Sequence, residues 1–250
     1  MTTRRVLITG GGSGIGLATA RAFHWLGDEV LISGSRSGLH EIAAGITGGG
    51  VPVRAHIADL ADEEQTVGLA RATMRDLGGC DVLVNCAGYS KKRSGAAIPP
   101  TEIETSDWDR TIRINLTAPF VLCRELMPSL VRSGRGRVIN IASRGGRTFS
   151  AAAGADYSAS KAGLIGLTRH LAGTFGEFGV TVNAIAPGRV DTPQAGMSSD
   201  AVKLMAKRSI PVGRFGTPEE IAAVVVFLAS GEAGFITGAC VDANGGAFMG

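Results

Sequence analysis

The chain has 250 residues, 37 of them glycine, with 44% hydrophobic and 19% charged residues and a formal net charge of +3. That length suits one large α/β domain with a substantial core, and the charge is too mild for a nucleic-acid-binding face, so no nucleic-acid partner is expected. The longest apolar stretch, Ile221 to Ala229, is far too short to cross a bilayer, so no membrane partner is expected either.

In chain order, Val6-Leu7-Ile8 predicts a short strand ended by a glycine cluster, and Ile15 to Leu26 carries apolar residues at helical spacing. Val30-Leu31-Ile32 predicts a second strand, Leu39 to Ile46 a helix, and the alternation from Val51 to Ile57 a third strand. Residues 62–77 read as a helix, Val82-Leu83-Val84 as a buried strand, and about Ser106 to Val131 as one long helix. Val138 to Ile141 is a strand, residues 155–176 a helix, and Val180 to Ile185 a strand. A helix with proline in its first turn spans Pro218 to Ala229, and Ala239 to Asp242 makes a last strand. Short, apolar, unalternating strands separated by helices are the pattern of a parallel sheet covered on both faces. The expectation is a single doubly wound Rossmann-type α/β domain, residues 1–250, with a seven-stranded parallel sheet flanked by helices. Its cofactor-binding part would lie in about 1–150 and its catalytic and substrate part in about 140–250.

Cys80, Cys86, Cys123 and Cys240 form no C-x-x-C pair, and no secretory signal pattern opens the sequence, so free thiols in a cytoplasmic protein are expected. His24, His40, His56 and His170 are scattered without ligand spacing, so no metal is expected.

Thr9-Gly10-Gly11-Gly12-Ser13-Gly14-Ile15-Gly16 joins the first strand to the first helix. Side chains would block a sharp turn that must approach a ligand closely, and the helix start offers unpaired N–H groups to a pyrophosphate. Gly10, Gly12, Ser13, Gly14, Ile15 and Gly16 are the cofactor-binding candidates here. The spacing of Gly10, Gly14 and Gly16 is G-x-x-x-G-x-G, not G-x-G-x-x-G, and a glycine-rich turn also serves as a plain turn. At the end of the second strand an acid would bind a ribose 2′-hydroxyl, whereas a nearby arginine would accommodate a 2′-phosphate. The segment Ser33-Gly34-Ser35-Arg36 has no acid, so Ser35 and Arg36 favour NADP(H), with NAD(H) as the alternative.

Tyr157 and Lys161 lie four residues apart at the start of a predicted helix and so share a face. A free phenol titrates near pH 10, and a neighbouring ammonium is expected to lower that value. Such a tyrosine can exchange a proton with an alkoxide while a nicotinamide exchanges a hydride. Ser143 ends the strand Val138–Ala142, at the sheet edge where α/β proteins bind ligands. Asn115 falls between apolar neighbours inside the long helix and needs hydrogen-bond partners there.

Taken together these residues resemble the short-chain dehydrogenase/reductase family, in particular its 3-oxoacyl-[acyl-carrier-protein] reductase-like members, over essentially the whole chain. The family's glycine motif matches Gly10, Gly14 and Gly16, its adenine-side Asp-Leu matches Asp59-Leu60, and its Asn-Asn-Ala-Gly appears as Asn85-Cys86-Ala87-Gly88. Its catalytic Asn, Ser, Tyr and Lys fall on Asn115, Ser143, Tyr157 and Lys161, and its Pro-Gly element on Pro187-Gly188, followed by Val190 and Thr192. The resemblance implies that Tyr157 is the acid/base, that Lys161 binds the nicotinamide ribose and lowers the tyrosine pKa, and that Ser143 orients the carbonyl. It also implies that Asn115 supports a proton-relaying water, that Asn85, Ala87 and Gly88 line the cofactor, and that Val190 and Thr192 approach the carboxamide. Dimers or tetramers are common among relatives, which implies a homo-oligomer. Four departures stand out: Cys86 for the usual second Asn, Ser13 and Ser35 where NADP-preferring members often carry basic residues, a long loop from Tyr89 to Pro100, and one extra residue between Ser143 and Tyr157. Arg36 is then the main support for NADP(H).

The expected partner is a small carbonyl or alcohol substrate, bound by residues 89–100, 144–156 and 189–210, with Arg144 or Arg147 meeting an anionic group on it. Two other classes compete. Ser158-x-x-Lys161 matches a serine acyl-transfer motif, but no S-D-N, K-T-G or G-x-S-x-G element accompanies it. A dinucleotide-binding regulator without turnover would need the glycine turn but not the Asn-Ser-Tyr-Lys set.

Overall fold

The computed structural model describes residues 3–192 and 207–250. β1 (Arg5–Thr9), α1 (Gly14–Trp25), β2 (Glu29–Gly34), α2 (Leu39–Ala44), β3 (Arg54–Ile57), α3 (Glu63–Leu77) and β4 (Val82–Asn85) build the first half. A two-stranded hairpin, β5 (Lys92–Arg93) and β6 (Ala96–Ala97), precedes α4 (Thr105–Ile112) and α5 (Ala118–Arg132). β7 (Arg137–Ile141), α6 (Ala155–Phe175), β8 (Thr181–Pro187), α7 (Pro218–Leu228) and β9 (Cys240–Ala243) complete the described elements.

Seven strands pair in parallel in the order β3-β2-β1-β4-β7-β8-β9. The expected doubly wound sheet is therefore present. Its order reverses between β1 and β4, and the crevice at the carboxyl ends there is where such sheets take ligands. The strands are apolar without alternation because each feeds two cores. Val6 and Ile8 pack on one side with Phe23, Ile32, Val84 and Val225. Leu7 packs on the other with Leu83, Leu122, Leu126 and Val138. Thus α1, α2 and α7 cover one face, and α3, α5 and the C-terminal half of α6 the other.

Local signals set the helix starts. Asp62 caps α3 by accepting from the Glu64 and Gln65 amides, and Thr217 with Glu220 forms a capping box around Pro218 at the first turn of α7.

Two predicted elements are corrected. The third strand begins at Arg54, because Val51 and Pro52 lie outside the ladder with β2. The single helix expected over 106–131 is interrupted at Arg113–Thr117 by a π-turn, one wide turn between α4 and α5. The long 89–100 segment is folded rather than open: β5 and β6 pair antiparallel, turning at Ser94 and Gly95 with φ of 49° and 80°.

Candidate active site

The glycine turn is built around backbone contacts. Gly10 (φ 67°) sits so close to Ala87 that a Cβ would lie 2.8 Å from its Cα, and a Cβ on Gly16 would lie 2.2 Å from the Gly10 carbonyl oxygen. Thr9 Oγ1 accepts from the amides of Cys86 and Ala87, at 3.0 and 3.1 Å, which ties this turn to the end of β4. Ser13 is the N-cap of α1, yet its hydroxyl caps nothing and the first turn has no acid. Uncapped N–H groups at the positive end of a helix, on the ligand edge of the sheet, fit a pyrophosphate. Ile15 packs its side chain against the core while its backbone stays in that first turn, and Gly12 rests on Leu39.

The segment after β8 closes on the same turn. A Cβ on Gly14 would lie 3.1 Å from Thr192 Cγ2. Val190 bridges to Gly216, Pro187 ends β8, and Gly188 packs on Asn244. At the end of β2, Ser35 and Arg36 are exposed, and Arg36 has no carboxylate partner among the described residues. Ser33 Oγ beside them is buried without a partner. Asp59 accepts from the Ala61 amide (3.0 Å) and pairs with Arg110 (3.2 Å). Leu60 is spent on the core beside Leu69.

Asn85 turns its amide inward. Its Nδ2 donates to Asn140 Oδ1 (2.8 Å), Asn140 Nδ2 donates to Thr168 Oγ1 (2.9 Å), and Thr168 donates to the Leu164 carbonyl (2.8 Å). This buried chain clamps β4, β7 and α6 beneath the cleft, so Ala87 and Gly88, rather than the Asn85 side chain, face outward from this strand end. Asn140 and Thr168 escaped the sequence reading, although a lone asparagine inside Val138-Ile139-Asn140-Ile141 was a signal for them.

Asn115 lies in the π-turn and is fully buried. Its Nδ2 donates to the Tyr89 carbonyl (2.9 Å) and to Ser160 Oγ (3.0 Å), and its Oδ1 accepts from the Tyr89 amide (2.7 Å). The wider turn aims this amide at the chain leaving β4, an arrangement often found at functional sites. A Cβ on Gly88 would lie 3.8 Å from Lys161 Nζ and 3.9 Å from Asn115 Oδ1, so these three residues converge.

Lys161 is buried, donates to the Ile141 carbonyl (2.7 Å), and holds Nζ 5.7 Å from the centre of the Tyr157 ring. Ser143, two residues beyond β7, caps the short turn that follows by accepting from the Gly145 amide (3.1 Å), and lies within reach of the Tyr157 hydroxyl. The four expected residues are thus brought together at the carboxyl edge of the sheet. Their electrostatics differ from expectation. Tyr157 is half-buried at the cleft floor, and burial pushes its phenol above the ordinary value, against the lowering effect of Ser143. Burial likewise pulls Lys161 down to about 8, and the Cys86 thiol beside both is pushed up to about 12 and stays neutral.

The Lys161 value has a consequence for stability. Between about 8 and the ordinary 10.5, the unfolded chain holds more lysine protons than the folded one. Stability from this group therefore rises with pH in that window, and below it the cost of burying the ammonium is fully present. Lys161→Met is expected to unfold at a higher temperature than the wild type at pH 7, both without dinucleotide, with the gap shrinking towards pH 10. Thermal unfolding across that range checks it; a gap independent of pH would contradict the burial of a titrating amine.

Arg147 does not face the cleft. It pairs with Asp242 (3.4 Å), donates to the carbonyls of Gly250 (2.8 Å) and Cys240 (3.3 Å), and stacks on Phe248. Arg144 reaches the Ala247 carbonyl (3.4 Å) and Ser150 (3.5 Å). The expectation that one of them meets an anionic substrate group is corrected for Arg147, which is tied to the C-terminal segment. Of the expected substrate segment 189–210, residues 193–206 lie outside the described residues. Asp156, buried next to Tyr157, was missed; it accepts from Thr111 (2.6 Å) and fixes the start of α6 against α4.

Known proteins resemble the chain over nearly its whole length. A family model described as enoyl-(acyl carrier protein) reductase matches residues 10–247. The chain is 37% identical to nodulation protein G of Rhizobium sp. (strain N33), over 100% of this chain and 98% of that one. It is 35% identical to cis-4-hydroxycyclohexanecarboxylate dehydrogenase of Sinomonas cyclohexanicum, over 97% and 96%. The crystal structure of 3-oxoacyl-[acyl-carrier protein] reductase from Brucella melitensis ATCC 23457 superposes with a TM-score of 0.91 at 36% identity, covering 99% of this chain and 92% of that one. A Brucella melitensis reductase of the same description with bound NAD gives 0.89 at 36% identity and the same coverage.

Proposed function

The chain belongs to the short-chain dehydrogenase/reductase family, and on that premise we propose that it interconverts a carbonyl and an alcohol with Tyr157 as the proton donor and acceptor. The family is one of oxidoreductases that take a nicotinamide cofactor. The observation that carries the finer reading is the convergence of Ser143, Tyr157, Lys161 and Asn115 beside an uncapped helix start. A bound nicotinamide supplies or accepts the hydride. The chain's own residues then handle the proton and the oxygen. In reduction, the Ser143 hydroxyl and the Tyr157 hydroxyl meet the carbonyl oxygen, and the Tyr157 proton passes to the alkoxide that forms. The Lys161 ammonium beside the ring favours the phenolate left behind, opposing the effect of burial. The Asn115 amide holds the Tyr89 peptide and Ser160 in place around the route by which a proton returns. Oxidation reverses each step.

Gly10, Gly12, Ser13, Gly14, Ile15 and Gly16 would hold the pyrophosphate, and Ala87, Gly88, Val190 and Thr192 the nicotinamide side. Residues of about 1–150 would carry most of the dinucleotide and those of about 140–250 the chemistry. Asp59 would meet the adenine. An exposed Arg36 with no carboxylate partner among the described residues favours a 2′-phosphate, so NADP(H) is the proposed dinucleotide. A cytoplasmic homotetramer or dimer is the proposed state, as is common among the relatives it resembles.

Dinucleotide absorbance, followed with NADPH and NADH across ketones, 3-oxoacyl thioesters, sugars and ring alcohols, tests the reading. Tight NADPH binding without turnover on any of them would leave a regulator instead. Arg36→Ala is expected to raise the KM for NADPH about tenfold while the KM for NADH stays put, the loss of one charged hydrogen bond. A wild type that prefers NADH would overturn the assignment of Arg36.

A further inference from the structure

Two buried hydrogen bonds join α6, which carries Tyr157 and Lys161, to the chain packed in front of it. Thr111 Oγ1 in α4 donates to Asp156 Oδ2 in the first turn of α6 (2.6 Å), and Asn115 Nδ2 in the π-turn donates to Ser160 Oγ (3.0 Å). Thr111 and Asn115 are four residues apart, and so are Asp156 and Ser160, so each pair lies on one face of its helical run. The contacts therefore form two rungs, one turn apart, and all four residues are buried. Each rung meets α6 one residue before a member of the proposed proton-transfer pair: Asp156 before Tyr157, and Ser160 before Lys161.

The second rung is braced within α6, because Ser160 Oγ also donates to the Tyr157 carbonyl (2.7 Å). The first rung holds an end of the helix that has no side-chain cap, since Gly154 is the N-cap. The Asp156 carboxylate folds back over that glycine: a Cβ on Gly154 would lie 2.4 Å from Oδ1. Uncapped helix ends fray, and here the fraying turn carries Tyr157. A hydroxyl 2.6 Å from a carboxylate oxygen has the length of a charge-assisted bond, the stronger class. It ties the turn bearing Tyr157 to the same helical run that bears Asn115.

We infer that Thr111 and Asp156 are positioning residues for the reaction: their hydrogen bond fixes the first turn of α6 so that the Tyr157 hydroxyl meets Ser143 and the substrate oxygen. The inference rests on the oxidoreductase reading for the reacting carbonyl, but the placement of Tyr157 can be measured without turnover. The competing account is that Asp156 serves only as an acid in the first turn of a helix, where negative charge is favoured. The two accounts part at Asp156→Asn, which loses the charge and keeps an acceptor for Thr111.

The full chain is made with 3-fluorotyrosine, which labels only Tyr89 and Tyr157, and Tyr89→Phe assigns the two fluorine signals. Asp156→Ala is the main variant, because Thr111 Oγ1 then keeps the Asp107 carbonyl (2.9 Å) as partner and no buried hydroxyl is orphaned. Without dinucleotide, the Tyr157 signal is expected to shift and broaden in Asp156→Ala and to stay sharp in Asp156→Asn. In unlabelled protein, kcat is measured with NADPH and a 3-oxoacyl thioester, or whichever carbonyl of the substrate screen is faster. Asp156→Ala should lower kcat about a hundredfold, the cost of a misplacement of about 1 Å, with the KM for NADPH within about twofold of the wild type. Asp156→Asn should stay within about threefold, Thr111→Val should match Asp156→Ala, and Thr111→Ser should recover most of kcat. A Tyr157 signal as sharp in Asp156→Ala as in the wild type, a kcat there within about threefold, or equal losses in the Asn and Ala variants would overturn the positioning role. Turnover of no carbonyl by the wild type would sink the oxidoreductase reading instead, and the fluorine signals would still judge the bond.

Discussion

Tyr157→Phe is expected to lower kcat by a factor on the order of a thousand or more, with the KM for the dinucleotide within a few-fold of the wild type. The ring stays in place. Its contact with Lys161, 5.7 Å from Nζ to the ring centre, does not depend on the hydroxyl. On the proposed mechanism, what is lost is the hydroxyl beside Ser143 that would hand a proton to the alkoxide. An interaction made only in the transition state should lower kcat and kcat/KM together. Steady-state kinetics with the best carbonyl from the substrate screen decide it. Ser158, which faces Gly145, makes the contrast: Ser158→Ala should keep activity within a few-fold. If loss of the Ser158 hydroxyl stopped turnover and loss of the Tyr157 hydroxyl did not, acyl transfer through Ser158 and Lys161 would be the better reading.

The second large effect belongs to the glycine turn. A Cβ on Gly16 would lie 2.2 Å from the Gly10 carbonyl oxygen and 2.8 Å from the carbon behind it. Both are backbone atoms. Gly10 is itself wedged against Ala87, so it has no room to retreat. Gly16→Ala must therefore push α1 away from β1 or rebuild the turn. Either change moves the uncapped N–H groups off the position they would offer a pyrophosphate. Dinucleotide affinity should fall by a factor on the order of a hundred, and the protein should lose roughly 3 kcal/mol, the range of overpacked interiors. For a chain of this size that is a fall in Tm of about 6–12 °C. Gly68 in α3 is the control, since a Cβ there meets nothing within 4 Å. Gly68→Ala should be neutral or stabilise by up to about 1 kcal/mol. Unfolding curves and dinucleotide titrations of the two variants separate a blocked turn from a general intolerance of added methyl groups.

The fold was legible because its strands are buried on both faces. Val6-Leu7-Ile8 and Val82-Leu83-Val84 are apolar at every position since alternate side chains enter two different cores, and no solvent-facing residue blurs the pattern. The site was legible where its parts are local: Tyr157 and Lys161 meet because helical spacing makes them meet. It was illegible where the partner is far away in sequence. Arg147 is occupied by Asp242 and Gly250, and the amides of Asn85 and Asn140 find each other across two strands. The hairpin β5–β6 is two residues wide on each side and carries charge, so it offers no apolar alternation to read. The direction of the Tyr157 shift depends on how much of the cleft wall surrounds it, which a four-residue spacing cannot report. The π-turn was hidden for a related reason: apolar periodicity over a long window barely registers one extra residue.

That extra residue separates two kinds of tolerance to changes in chain length. In a plain α-helix of 3.6 residues per turn, losing one residue swings everything beyond it by about 100°, and in α5 that would drag Leu122, Leu126 and Leu130 out of the core. Within Arg113–Thr117 the surplus is already taken up by the wide turn. A one-residue deletion there would let α4 and α5 knit into a continuous helix with their buried faces still aligned, while the Asn115 amide lost its aim at Tyr89. The same small deletion would thus wreck the scaffold a few residues downstream, yet here leave it standing and, on the proposed role of Asn115, cost only the activity.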